Sequence, residues 1–226
     1  MRFRRVQLQA PSGRIDGLSE FYVGRLGLDA AAGRDVGATI GETQLAFSGG
    51  SGEPFYHFAL LVPGNRFDAA LDWIRQRAEL LPDPETGDVV FDFDNWDALA
   101  CYFHDPAGNI VELIAHRGID ESEREGPFAA AELVGISELG LVGDKHELAA
   151  ALREIGVEQW DGAIEEAGRL AFVGEKARTL ILSPAGRGWL PTGRPAEAHP
   201  AEVEVESSVT GVVQVGPSRI LGILPS

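Results

Sequence analysis

Two residues near the middle of the sequence have side chains that could bind a divalent metal. His57 lies in the segment 55–62 and Glu112 lies in the segment 104–114. Both segments alternate apolar and polar residues, as half-buried β-strands do. An imidazole and a carboxylate that meet on an enclosed surface are suitable metal ligands, because a carboxylate is costly to bury without a cation.

The alternation also predicts where these two side chains point. Phe58 and Leu60 share one face of the first strand, which places His57 on the other face. Val111 and Leu113 share one face of the last strand, which places Glu112 opposite them. If the apolar faces pack on a helix, both polar side chains face the concave side of the sheet.

Between these strands, residues 66–80 repeat apolar side chains at helical spacing, so residues 54–116 read as one βαβββ unit. The sequences YHFALLV and FHDPAGNIVELI resemble the first and last strands of such a unit in the vicinal oxygen chelate superfamily. That family includes glyoxalase I, extradiol dioxygenases and the bleomycin resistance proteins. The resemblance implies an α+β fold of repeated βαβββ units that form curved half-barrel sheets with helices on the outer face. It also implies that His57 and Glu112 are metal ligands.

Two further segments look like weaker copies of this unit. In residues 1–50, Arg5 overlays His57 and Gln44 overlays Glu112, so both expected ligands are replaced. In the third copy, Glu138 falls at the His57 position, and Ile181 falls at the Glu112 position. An internal repeat of one supersecondary unit is therefore predicted.

The short link Ser48–Gly52 predicts that the first two units pair as one bilobed domain, residues 1–118. A charged linker is expected over residues 119–132, followed by a degenerate third unit, residues 133–226. Alternating segments near the carboxyl end are expected to complete the sheet of that third unit.

The sequence allows two alternative sites, depending on which two units form a common cleft. If units two and three face each other, Glu138 joins His57 and Glu112 as a third ligand or as a catalytic base. That set would suit Mn²⁺, Fe²⁺ or a similar ion such as Zn²⁺ or Ni²⁺.

If units one and two face each other instead, the cleft contains Arg5, Gln7 and Gln44 beside His57 and Glu112. Arg5 could then replace the metal by forming a salt bridge with Glu112.

Two tryptophans are further candidates for substrate binding. Trp189 lies in the Pro/Gly-rich loop 184–195, whose functional interpretation is a lid with Arg187 or Arg194 binding a carboxylate. The alternative is a connecting loop whose tryptophan plugs the edge of the core. Trp96 precedes a strand and either lines the pocket or packs over the sheet.

Composition restricts the function further. The chain has 226 residues and a formal net charge of -16, which disfavours nucleic acid and anionic membranes as partners. A single cysteine, Cys101, and the lack of a long apolar run predict a cytoplasmic protein.

Two functions fit the sequence. The first is a divalent-metal-dependent enzyme of the dioxygenase or glyoxalase type, acting on a small organic substrate. The second is a metal-free protein that sequesters a small molecule, as the bleomycin resistance branch does. A homodimer is plausible for both.

Overall fold

The computed structural model describes residues 1–33, 36–166 and 168–225, so residues 34, 35, 167 and 226 lie outside the description. Unit one contains β1 (Arg2–Pro11), α1 (Ile15–Ser19), β2 (Asp29–Ala30), β3 (Val36–Ile40) and β4 (Thr43–Gly50). Unit two contains β5 (His57–Leu61), α2 (Phe67–Arg75), β6 (Leu80–Leu81), β7 (Phe91–Phe93), β8 (Ala98–His104) and β9 (Ile110–His116).

Unit three contains β10 (Gly135–Val142), α3 (Lys145–Glu154), β11 (Gln159–Gly162), β12 (Ala171–Glu175) and β13 (Arg178–Ser183). A small hairpin of β14 (Gly188–Trp189) and β15 (Arg194–Pro195) follows it. The chain then adds β16 (Ala201–Glu206), β17 (Gly211–Val215) and β18 (Ser218–Ile223). The described residues thus form an α+β fold of repeated units, as predicted, and contain no helix of the length and apolarity needed to cross a bilayer.

The strands form two large mixed sheets. We call β17-β18-β16-β1-β4-β3-β2 the first sheet. We call β11-β12-β13-β10-β5-β9-β8-β6, with β7 beside β8, the second sheet. At the centre of each sheet, an antiparallel contact joins two segments that are distant in sequence, β1 with β16 and β5 with β10.

This order corrects the predicted pairing of units. Unit two shares its sheet with unit three, whereas unit one shares its sheet with the carboxyl-terminal strands. The expectation that those strands complete the sheet of unit three is therefore wrong. Strand β16 instead finds its hydrogen-bonding partner in β1, which would otherwise be an open edge. The domain boundaries at residues 118 and 133 stay predictions.

The predicted faces of the central strands are confirmed. Phe58, Leu60 and Leu113 pack in a large apolar core that also holds residues of the first sheet and the helices. Ala59 and Ile110, on the other face, pack in a second, smaller apolar cluster. His57 and Glu112 lie on the face of that smaller cluster, so the alternation placed them correctly.

A hydrogen-bonded turn fixes the start of β9. The Asp105 carboxylate accepts hydrogen bonds from the backbone amides of Ala107 and Asn109, at 2.9 and 3.0 Å. Gly108 adopts a φ of 82°, a left-handed conformation that glycine tolerates without strain. The Asn109 side chain accepts from the Tyr56 amide at 2.8 Å and so ties the turn to the residue before His57. This turn sets the register between β5 and β9.

Candidate metal site and its cavity

His57 opens β5 and is held by a backbone contact. Its Nδ1 lies 3.2 Å from the carbonyl oxygen of Ile110, on the neighbouring strand. Because a carbonyl only accepts, this contact requires the proton on Nδ1 and leaves a lone pair on Nε2. Nε2 lies 3.5 Å from Oε2 of Glu112, so that lone pair is directed toward a carboxylate. Imidazoles that bind metals are commonly fixed in this way.

Two carboxylates from neighbouring strands meet His57. Glu112 on β9 and Glu138 on β10 are both opposite Ala59 in the ladders of β5. One ligand atom from each of His57, Glu112 and Glu138 lies within 4.8 Å of the other two. The two glutamates are 2% and 4% exposed, so both acids are withdrawn from water. The pairing of units two and three therefore supplies the third potential ligand.

Burial shifts the pKa values of all three groups toward their neutral forms. It raises the pKa of Glu138 to about 8 and lowers the pKa of His57 to about 4. Burial, followed by the nearby charge of Glu138, raises the pKa of Glu112 well above its usual range. Two adjacent buried carboxylates are costly to ionise unless a cation lies between them. The arrangement thus fits a divalent cation bound by one nitrogen and two carboxylates.

A tyrosine that the sequence analysis did not single out as a functional residue contacts this group. Tyr102 on β8 is the ladder partner of Glu112, and its side chain makes a hydrogen bond with that carboxylate. Burial and the charges of Glu112 and Glu138 raise the pKa of Tyr102 well above its usual value. The phenol is therefore neutral and donates to Glu112. In the sequence, Tyr102 shares a face of β8 with Ala100, so the register between β8 and β9 is the one further fact that would have identified it.

The three groups lie in a cavity of about 450 Å³. Apolar and aromatic residues form much of its lining, among them Phe93, Trp96, Phe172, Ile181, Trp189 and Leu190. Trp189 covers His57, with ring centroids 5.0 Å apart, and is only 3% exposed. A cavity of this size accommodates a small organic molecule rather than a polymer.

Trp96 spans units two and three at this cavity. Its indole nitrogen donates to the Asp161 carboxylate at 2.7 Å. Its ring meets Phe172 edge to face, at 4.3 Å between centroids. Both predicted tryptophans, Trp96 and Trp189, therefore line the cavity, although a role in binding substrate stays a prediction.

The alternative cleft of units one and two does not form. Arg5, Gln7 and Gln44 lie in the first sheet, where Arg5 is opposite Gln44 in one ladder and Glu204 in the other. None of the three lines the cavity around His57. Arg5 cannot replace a metal at Glu112, because β1 pairs with β4 and β16 rather than with β5 or β9.

The position in unit three that corresponds to Glu112, and that could supply a fourth ligand, is apolar. Ile181 on β13 is opposite Gly140, just as Glu112 on β9 is opposite Ala59. Ile181 is buried and lines the cavity, as its predicted equivalence to Glu112 requires. Unit three thus contributes one ligand candidate, whereas unit two contributes two.

The fold is shared with solved structures of low sequence identity. Glyoxalase I from Zea mays superposes with a TM-score of 0.58 at 12% identity, covering 99% of this chain and 92% of the maize chain. A Bacillus subtilis protein titled "putative dioxygenase" superposes with a TM-score of 0.56 at 14% identity, covering 100% of this chain and 86% of that chain. No protein-family model and no curated protein matches the sequence. At these identities the similarity shows the fold alone.

Proposed function

We propose that the protein is a divalent-metal-dependent enzyme of the vicinal oxygen chelate type that acts on a small organic substrate. The observation that carries this proposal is the convergence of His57, Glu112 and Glu138 within 4.8 Å on the wall of a cavity. Solved structures with the same fold include a glyoxalase I, which supports an enzyme by analogy of fold only.

The donor set defines the class of metal. One imidazole nitrogen and two carboxylates form a mostly hard set, which favours Mn²⁺ or Fe²⁺ over soft ions. When bound, such an ion supplies Lewis acidity toward two neighbouring oxygen atoms of a substrate. Three protein ligands also leave positions open for a substrate, as catalytic metal sites require.

The surrounding residues would orient the ligands and the substrate. The Ile110 carbonyl fixes the His57 ring, and the Tyr102 hydroxyl fixes the Glu112 carboxylate. Trp189 covers one side of the site, and its packing excludes water from His57. Glu138 is the candidate base for a dioxygenase-like or glyoxalase-like reaction, because its carboxylate lines the cavity beside His57 and Glu112.

One observation favours a second candidate, a metal-free small-molecule binding protein of the bleomycin resistance type. The fourth ligand position is occupied by Ile181, which leaves an incomplete ligand set. In the absence of metal, the two glutamates would share protons and hydrogen bonds in a largely aromatic cavity. Binding of a small aromatic molecule without any metal requirement would then be the function.

Metal stoichiometry of the purified protein separates these functions. After incubation with Mn²⁺ or Fe²⁺ and removal of excess ion, elemental mass spectrometry should find about one ion per chain. Glu138→Gln and His57→Ala should both lose it, because each removes one of only three ligands. The matched control is Glu204→Gln, a half-buried acid of the first sheet that should retain the ion.

Absence of bound metal in the wild-type protein, after exposure to Mn²⁺, Fe²⁺, Zn²⁺ and Ni²⁺, would contradict the enzyme proposal. Retention of metal by both ligand variants would place the ion elsewhere. The first outcome would favour the metal-free binding protein, and the second would contradict the assignment of His57 and Glu138 as ligands.

A further inference from the structure

Arg187 differs from every other residue around the cavity. It is the only lysine or arginine among the described residues that line it. The residue precedes β14 and is half-buried, on the same hairpin that carries Trp189 over His57. A permanent positive charge is therefore built into the wall of the proposed metal site.

The hydrogen bonds of Arg187 do not neutralise this charge. Its Nε donates to the Gly168 carbonyl at 3.2 Å, and its Nη1 donates to the Gly188 carbonyl at 2.8 Å. Both of these contacts are to backbone carbonyls, and no ion pair joins the guanidinium to a carboxylate of the described residues, although the sequence has 35 acidic residues. Nη2 makes no hydrogen bond to the described part of the chain. Its two N–H groups are thus left for a ligand.

The charge also lies at the metal site, because Arg187 lines the same cavity as His57, Glu112 and Glu138. The two aspartates that line the same cavity, Asp92 and Asp94, are both exposed to solvent, and Asp92 binds Arg117 at 3.5 Å. Solvent screens such rim charges more than it screens a half-buried guanidinium.

The charges inside the cavity indicate which kind of ligand would fit it. The carboxylates of Glu112 and Glu138 balance a divalent ion, which leaves the charge of Arg187 without a partner inside the cavity. A planar carboxylate matches the guanidinium fork and would complete the balance. We propose that the small molecule bound here is a carboxylic acid, and that Arg187 is the residue that selects it.

This inference rests on the proposed function for the location of the reacting end of the substrate. The carboxylate would bind Arg187 while another part of the molecule approaches His57 and the two glutamates. Aromatic walls at Trp96 and Phe172 favour a flat ring between the two ends.

Paired probes that differ only in charge test the inference. We would titrate 3,4-dihydroxybenzoate and 3,4-dihydroxybenzamide into Mn²⁺-loaded protein by calorimetry, and benzoate and benzamide into metal-free protein. The acids should bind at least about tenfold more tightly than the amides, as expected for one charge-assisted contact. Arg187→Met should abolish that preference, and Arg187→Lys should retain part of it.

Arg169→Met is the matched control. Arg169 is near Gly168 but is exposed, binds Glu166 at 3.2 Å and does not line the cavity. The Arg169→Met substitution removes one positive charge from the same region, as Arg187→Met does, and should leave the preference for acids over amides unchanged. Thermal unfolding of each variant checks that the hairpin remains folded.

Equal affinity for acids and amides in the wild-type protein would overturn the inference, as would an acid preference that survives in Arg187→Met. These outcomes are separate from the metal question. Loss of metal binding with a retained benzoate preference would contradict the proposed function alone, whereas a bound ion without acid preference would contradict only the role of Arg187.

Discussion

The two sheets share one architecture but differ at their centres. In the second sheet, Glu112 and Glu138 are both opposite Ala59, beside His57. In the first sheet, Gln44 and Glu204 are both opposite Arg5. One centre thus has two acids and a small residue between them, whereas the other has an amide, an acid and a guanidinium.

The two centres also differ in how deeply their polar side chains are buried. The second sheet has the small apolar cluster with Trp189 above its strands, so its polar groups are buried. In the first sheet, Arg5, Gln44 and Glu204 are each only half-buried. A ligand set becomes a candidate metal site when its charges are buried together and no side chain supplies the cation. Arg5 supplies a cation at the centre of the first sheet, whereas Ala59 lies between the two acids at the centre of the second.

The largest expected effect on stability comes from removing Trp189, which covers His57. Trp189→Ala should destabilise the protein by about 4 kcal/mol, because a nearly buried indole leaves a cavity behind. Urea unfolding measures this change. Val212→Ala, at a 51% exposed position of the first sheet, should shift the free energy of unfolding by less than about 0.5 kcal/mol.

A second variant separates the covering role of the indole from its volume. A Cβ at Gly140 would lie 2.8 Å from the Trp189 ring, so Gly140→Ala should displace the indole without removing it. It should then expose His57 to solvent. A Gly140→Ala protein with unaltered tryptophan fluorescence and stability would show that the cover is not tightly packed.

The pH dependence of stability should show the cost of burying the Glu138 carboxylate in the second sheet. Glu138 has a folded pKa of about 8 against an ordinary value of 4.5. Its contribution to the metal-free protein is therefore complete below about pH 4.5 and is lost as pH rises toward 8 and above. Glu138→Gln should stabilise the metal-free protein at pH 9 by on the order of 2 kcal/mol.

Chemical unfolding at pH 5 and pH 9, with and without Mn²⁺, measures this effect. Saturating Mn²⁺ should remove the loss in the wild-type protein, because the ion replaces the proton between the carboxylates. Equal stability of wild type and Glu138→Gln at pH 9 would contradict the assigned cost of the buried charge.

Completing the ligand set should sharpen the difference between the sheets. Ile181→His adds a nitrogen at the position that corresponds to Glu112, and should tighten Mn²⁺ binding by about tenfold. Ile114→His is the matched control, since Ile114 lines the same cavity at another position of β9. Equal gains in Mn²⁺ affinity in both variants would show that a histidine anywhere in the cavity strengthens binding. That result would contradict the equivalence of Ile181 and Glu112.

The smallest expected effect is at the centre of the first sheet. Arg5→Met should change Mn²⁺ affinity by less than about twofold, because Arg5 lies in the other sheet from the three ligands. Titration of both proteins under the same conditions provides the comparison. A loss of metal binding in Arg5→Met would instead support the alternative cleft of units one and two, in which Arg5 lies beside His57 and Glu112.

Several features of this protein were predictable because they are local. Alternation in β5 and β9 assigned His57 and Glu112 to one face, and the helical spacing between them predicted α2. The motif DPAGN encodes its own turn, since Asp105 binds backbone amides two and four residues ahead. Such signals depend only on residues that are close in sequence, so the sequence of one unit was sufficient to predict them.

The partner of each unit was decided only by the tertiary structure. Strand β5 could have paired with β1 or β10, and alternation permits both because it does not encode which open edge a strand meets. The two sheets fix that choice through contacts far apart in sequence, β1 with β16 and β5 with β10. The chain by itself determined that His57 and Glu112 face a common surface. Only the pairing of β5 with β10 brought Glu138 to them and left Arg5 in the other sheet.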